Sequence, residues 1–252
     1  MNTKNLLLDL GNTRLKWALA DGVDLLAGTP LAYADETLAA GLAQRWRDVE
    51  KPTRVWVASV AGAAREAELA TAVRQGFDCG ITFVRSVPNA CGVENAYPMA
   101  GRLGIDRFLG LIALHQTERK PVLLVSCGTA LTLDLLTPDG RHHGGLIAPS
   151  PALMQHALYG NTAQLKAGGD AHWVALADNT DDAVFSGTWF AAVALVERVL
   201  AQATRQLDAQ IELVLSGGAA DALQAALGGF GRIEPELVLR GLSLYAADHP
   251  QR

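Results

Sequence analysis

An α/β protein built from two similar halves is what this sequence predicts, on three observations: strand-like apolar runs, helical periodicity between them, and one segment that recurs. The runs, dense in Leu and Val, lie at residues 5–10, 54–60, 121–125 and 211–215. Each ends near Gly, Ser or Asp, as buried strands do. Helical patterns cover Glu36 to Asp48, Ala63 to Gln75, Ala100 to Gln116, Ala152 to Leu165, Asp181 to Leu207 and Ala219 to Leu227. Gly22, the Pro138-Asp139-Gly140 turn and Gly144-Gly145 break the hairpins expected after the first and third runs.

The recurrence is the most informative of the three. LLLDLGNTRLKWALADG from Leu6 resembles LLVSCGTALTLDLLTPDG from Leu123, aligning Asp9 with Ser126 and Gly11 with Gly128. It divides the chain into residues 1–118 and 119–252. A strand, a glycine turn and a second strand, present twice, is the phosphate-holding device of the actin, hexokinase and acetate-kinase superfamily. By that analogy the halves are ribonuclease H-like, with an active site in the cleft between them. The physics is general: N–H groups in a Gly/Thr turn present fixed dipoles to phosphate oxygens, and glycine lets the main chain approach closely.

Composition narrows the partners. Of 252 residues, 50% are hydrophobic and 19% charged, which is enough apolar material for a sizeable core. A net charge of −5 removes the basic footprint that nucleic acid requires. Met1 to Leu10 is too short and too acidic for a signal peptide or membrane span, so a cytoplasmic location without membrane attachment is expected. Cys79, Cys91 and Cys127 form no metal or redox spacing and read as reduced thiols. His142 and His143, adjacent in sequence, read as part of a solvated turn beside Asp139-Gly140.

Several short stretches carry chemistry. Asp9 ends a buried strand directly before a glycine turn, a poor place for an unpaired charge. Mg²⁺ bridging ATP phosphates would satisfy it, and so would an Asx-type turn. Lys16 is spaced to reach phosphate. In Gly104-Ile105-Asp106-Arg107, Asp106 suits the proton of a substrate hydroxyl and Arg107 suits a carboxylate or phosphate, ahead of the alternative of an exposed pair on a solvated helix face. Thr129 follows Gly128 at the second turn and can donate to phosphate, while Asp134 reads as a polar residue on an open sheet face. Ser216-Gly217-Gly218-Ala219 either admits adenine or ribose to the backbone or is an ordinary strand-to-helix turn.

Taken together, six stretches resemble the type III pantothenate kinase family, including its Bvg accessory factor branch. They are DLGNT at Asp9–Thr13, GIDR at Gly104–Arg107, GTALT at Gly128–Thr132, GGLIAP at Gly144–Pro149, NTDDAVFSG at Asn179–Gly187 and SGG at Ser216–Gly218, in the family's order. The resemblance implies ATP- and Mg²⁺-dependent phosphorylation of pantothenate to 4′-phosphopantothenate, the first step of coenzyme A synthesis. It also implies a homodimer with the pantothenate pocket near the subunit interface. Carried over, Asp9, Leu10, Gly11, Asn12, Thr13, Arg14, Leu15 and Lys16 form the first ATP-binding turn and Thr129 belongs to the second. Asp106 becomes the proton acceptor. Gly104, Ile105, Asp106 and Arg107 bind pantothenate together with Tyr97 and Thr180. Without the resemblance, Tyr97 reads as a loop aromatic before Pro98 and Thr180 as a helix N-cap.

One position departs from the family pattern. Ser126 stands where the family usually has an Asp that helps hold a monovalent cation, K⁺ or ammonium, and a neutral hydroxyl is a weaker ligand. Two rival readings remain at this stage: a kinase for another small hydroxy acid or sugar, and a nucleotide-binding regulatory protein without turnover.

Overall fold

The computed structural model describes residues 4–21, 24–33, 37–161 and 170–249. Gly22, Glu36 and the end of the helical pattern at 162–165 lie outside them. In chain order the elements are β1 (Asn5–Leu10), β2 (Arg14–Asp21), β3 (Asp24–Ala27), β4 (Leu31–Ala32), α1 (Leu38–Arg45), β5 (Arg54–Ser59), α2 (Ala63–Phe77), β6 (Ile81–Val84), β7 (Asn89–Ala90), β8 (Val93–Glu94) and α3 (Ile105–His115). There follow β9 (Val122–Cys127), β10 (Ala130–Leu136), β11 (His142–Pro149), α4 (Pro151–Asn161), α5 (Thr180–Leu207), β12 (Glu212–Ser216), α6 (Ala220–Ala226), β13 (Arg232–Ile233) and α7 (Leu237–Asp248).

The chain divides into two compact units. The first comprises Met1–Thr117, Asp139–His142 and Glu236–Arg252; the second comprises Glu118–Pro138 and His143–Pro235. Two segments of the stretch 119–252 therefore count with the first unit.

In the first unit the sheet order is β3-β2-β1-β5-β6, with β4 also on β2. β2 runs antiparallel to β1, and β5 runs parallel to it. Alternation along β1 explains its two faces. Leu6, Leu8 and Leu10 point into a core with Leu38, Leu42, Leu69 and Val73 of α1 and α2. Leu7 and Asp9 point to the opposite face, where α7 packs on β1. α7 also packs closely on α3: a Cβ at Gly241 would lie 1.9 Å from the Leu109 carbonyl oxygen. Only glycine permits that approach.

In the second unit the order β11-β10-β9-β12-β13 repeats the arrangement of the first sheet's main path. Leu123, Val125 and Cys127 face a core completed by α5 and α6, including Ala192, Val196 and Leu223. α5 is long and apolar enough to cross a membrane by composition, with mean hydropathy 1.5 over its best window. In the fold it lines this core instead, burying Ala192, Val193, Val196 and Ala203.

Several local expectations change. Ala100 to Gln116 is not one helix: a 3₁₀ turn at Ala100–Arg102 stops at Leu103, and extended Gly104 (φ −55°, ψ 134°) caps α3. Gly144-Gly145 does not break a strand; β11 runs through it, with Gly144 at φ +95°. Asp134 is only 1% exposed rather than on an open face. Asn179 is the N-cap of α5, accepting from the Asp182 amide at 2.9 Å, and Thr180 is its first helical residue. His142 is 2% exposed, and His143 meets the Thr137 hydroxyl at 3.1 Å, so neither is a solvated turn residue. The reason lies in Gly140, whose carbonyl accepts from the Glu94 amide at 2.9 Å and draws the segment onto β8.

Candidate active site

The first glycine turn follows from strand register. Leu10 pairs with Leu15, and Gly11 N–H closes the turn on the Arg14 carbonyl at 3.1 Å. Leu10 and Leu15 are fully buried core residues, while Asn12, Thr13 and Arg14 are exposed. The backbone of this turn, with three solvent-facing side chains, is therefore what a ligand can reach. Tyr33, which the sequence reading did not single out, grips the turn twice. Its N–H donates to the Thr13 carbonyl at 3.1 Å, and its hydroxyl donates to the Gly11 carbonyl at 3.1 Å. The Arg65 guanidinium caps the Tyr33 ring at 4.1 Å. Only the fold brings Tyr33 here, 22 residues beyond Gly11.

Asp9 and Lys16 are directly paired across β1 and β2, so their side chains share one sheet face. Burial pushes the Asp9 carboxyl up to about 7, while the Lys16 charge pulls it down and the nearby Asp106 charge adds to the rise. A carboxylate in that situation gains from an added cation. Among the described residues no group of three His, Cys, Asp or Glu side chains is placed to cage a metal.

Asp106 and Arg107 open α3, and Gly104 makes room for them. A Cβ at Gly104 would fall 2.6 Å from Asp106 Oδ1. Ile105 and Arg107 are 4% and 5% exposed; Ile105 is a core residue, and Arg107 is a buried cation with specific partners. Arg107 Nη1 donates to the Tyr97 hydroxyl at 3.1 Å, and its guanidinium lies 5.8 Å from the Tyr97 ring centre. Asp9, Lys16, Tyr97, Asp106 and Arg107 thus all belong to the first unit.

In the second unit, Gly128 N–H closes on the Ala130 carbonyl at 2.9 Å and leaves Thr129 exposed. Ser150 caps α4 by accepting from the Leu153 amide at 3.2 Å, and its hydroxyl donates to the Thr129 carbonyl at 3.0 Å. Ser150 directly before Pro151 was a readable helix-start signal; its bond to Thr129 was not. Ser126 is paired with Thr132 on one side and Ser216 on the other, a row of three neutral hydroxyl residues on one face. Gly217, at φ +90°, has a packing role, since a Cβ there would sit 2.4 Å from the Cys127 carbonyl oxygen. Thr180 lies on a groove of about 980 Å³ between α4 and α5 lined also by Leu153, Met154, Leu158 and Val184. All three cysteines are free thiols; burial pushes those of Cys91 and Cys127 up to about 11, which makes them poor nucleophiles.

Comparison with known proteins completes the picture. Among solved structures, a Baf family protein from Campylobacter jejuni is similar with a TM-score of 0.61, at 19% identity, covering 97% of this chain and 98% of that one. The activator of the 2-hydroxyisocaproyl-CoA dehydratase from Clostridium difficile is similar at TM-score 0.52 and 11% identity, over 97% and 94% of the two chains. These likenesses, with the repeated strand order, show the fold to be two ribonuclease H-like halves. In sequence, the type III pantothenate kinase of Stenotrophomonas maltophilia (strain K279a) is 41% identical over 97% of this chain and 98% of its own. That of Nitrosospira multiformis is 36% identical over 98% and 93%. The family model for type III pantothenate kinase matches residues 5–202, and with these near-full-length relatives it places the chain in the type III pantothenate kinase family.

Proposed function

We propose that the protein phosphorylates pantothenate to 4′-phosphopantothenate with ATP, and that Asp106 is the group that accepts the proton. The observation that carries this reading is the Asp106-Arg107 pair at the start of α3, with Asp106 close enough to Asp9 to influence its charge and Arg107 bound to Tyr97. In the proposed step the primary hydroxyl of pantothenate attacks the γ-phosphorus in line with the leaving ADP oxygen. Asp106 takes the hydroxyl proton while Arg107 and Tyr97 hold the acceptor, Arg107 by pairing with its carboxylate. The N–H groups of Asn12, Thr13 and Thr129 bind phosphate oxygens, the Gly11 and Gly128 amides being used to close their own turns, with Lys16 adding positive charge. Asp9 would hold Mg²⁺, which spreads and offsets phosphate charge when bound.

Four finer features belong to the same proposal. Thr180 contributes to the acceptor site, and the protein is a homodimer. The second unit exposes Leu146, Ile147, Leu153, Leu158, Trp173 and Phe190, large apolar side chains that a second copy would cover. The location is cytoplasmic, in keeping with an α5 that lines a core rather than a bilayer. Finally, the neutral row of Thr132, Ser126 and Ser216 makes dependence on K⁺ or ammonium weak.

The test is coupled ADP release at millimolar Mg·ATP with and without pantothenate, for the wild type and Asp106→Asn. Pantothenate-dependent release is expected, falling by ~10² to 10⁴ in kcat for the variant while nucleotide binding persists. Faster turnover of a different hydroxy acid or sugar would replace the substrate. Nucleotide binding without turnover would point instead to a regulatory protein.

A further inference from the structure

Arg107 is buried, and a buried guanidinium is useful for recognition only if its direction is set. Tyr97 is one of the groups that set this direction, and it sits in the irregular segment between β8 and α3, outside any strand or helix. Two residues outside the proposed site supply that control. Asn95, 9% exposed, ties the segment together. Its side-chain amide donates to the Val87 carbonyl at 3.3 Å and the Ala100 carbonyl at 3.2 Å, while its Oδ1 accepts from the Tyr97 amide at 3.0 Å. Its own N–H donates to the Pro88 carbonyl at 2.9 Å. His142, 2% exposed, comes from the start of β11 and lies parallel to the Tyr97 ring, with centroids 6.2 Å apart and planes 10° from parallel. Its Nδ1 accepts from the Ala96 amide at 3.4 Å.

We propose that His142 and Asn95 are positioning residues for the acceptor site, fixing Tyr97 so that its hydroxyl holds Arg107 ready for the substrate carboxylate. The assignment rests on the proposed kinase reaction, and it adds a role for two residues that do not touch the reacting atoms. Asn95 fixes the Tyr97 backbone through three side-chain hydrogen bonds, and the His142 ring fixes the Tyr97 ring plane. Without the ring, Tyr97 gains freedom to turn, the bond to Arg107 Nη1 is made only part of the time, and the guanidinium is less ready to bind. The loss falls on pantothenate, because the first turn that faces nucleotide is held independently by Tyr33.

The experiment compares wild type, His142→Ala, His142→Phe, His142→Asn and Asn95→Ala by initial rates, with either substrate varied. Each protein's melting-temperature rise with pantothenate alone and with Mg·ATP alone is also measured. His142→Ala is expected to raise KM for pantothenate by about tenfold or more and to leave KM for ATP within about twofold. His142→Phe, which keeps a flat ring, should recover to within about threefold of wild type, whereas His142→Asn, which keeps an acceptor and loses the ring, should not. Asn95→Ala should follow His142→Ala. The pantothenate-induced rise in melting temperature should shrink in His142→Ala while the Mg·ATP-induced rise stays. An unchanged KM for pantothenate overturns the inference; so does a parallel rise in both KM values, which marks a merely structural residue. If His142→Ala does not fold, His142→Asn is judged by the same two criteria. A wild type that turns over pantothenate while the variants match it rejects the positioning role alone. A wild type with no pantothenate-dependent ADP release rejects the reaction itself, and the inference with it.

Discussion

Asp9 stands directly opposite Lys16 in the β1–β2 ladder, yet the ammonium charge does not win: burial and the neighbouring Asp106 still push the Asp9 carboxyl up to about 7. The metal-free protein therefore holds a proton on Asp9 at pH values where the unfolded chain, near the ordinary 3.9, has lost it. Between those two values the folded state binds more protons than the unfolded state, so this contribution to stability is present at low pH and is lost as pH rises through about 7. Asp9→Asn should flatten the dependence of Tm on pH between 5 and 8, raise Tm at pH 8 by a few degrees, and weaken Mg·ATP use by about tenfold or more. Thermal melts across pH and ATP titrations check both parts. Matching slopes in wild type and variant would remove the claim.

Tyr33 should matter to nucleotide and not to acceptor. Tyr33→Phe keeps the ring under Arg65 but leaves the Gly11 carbonyl without its donor, a loss of about 0.5–1.5 kcal/mol. KM for ATP is expected to rise roughly two- to tenfold with KM for pantothenate unchanged. Initial-rate kinetics with each substrate varied would show the opposite pattern if Tyr33 served the acceptor.

Gly241 should tolerate no side chain. In Gly241→Ala the new methyl would meet Leu109 backbone rather than a movable side chain, so α7 must shift from α3. A loss of ~3 kcal/mol or more is expected, seen as a lower denaturant midpoint or insoluble expression. Gly187→Ala, where added carbon meets nothing within 4 Å, is the matched control and should be nearly neutral.

Ser126 sets the expected response to K⁺. With only hydroxyls at Thr132, Ser126 and Ser216, activity should change little when K⁺ is added to a buffer with a bulky counterion. Ser126→Asp should create sharper K⁺ activation and, without K⁺, weaker ATP binding, because an uncompensated carboxylate would repel phosphate. Strong low-millimolar K⁺ activation of the wild type would contradict this.

Much of this protein was readable without coordinates, because the readable features are local. Alternating Leu runs make strands, Gly11 and Gly128 mark turns, and the repeated segment foretold two sheets of one topology. The ordered motifs from Asp9 to Gly218 were enough to point to the family that the comparisons then established. What sequence could not decide are relations between residues far apart along the chain. The two-residue strands β4, β7, β8 and β13 are too short to carry a periodicity, and helix α7, although periodic, was not singled out. His142 reads as a turn histidine, and Asn95 does not stand out at all, until the chain folds. Local propensity follows neighbours three or four residues away, whereas the surroundings of Tyr97 come from β11, α3 and the segment after β6. Sequence thus determined the elements, the duplicated plan and the family. Tertiary packing decided that α7 joins the first unit, that Tyr33 grips the Gly11 turn, and that burial rather than Lys16 governs the proton on Asp9.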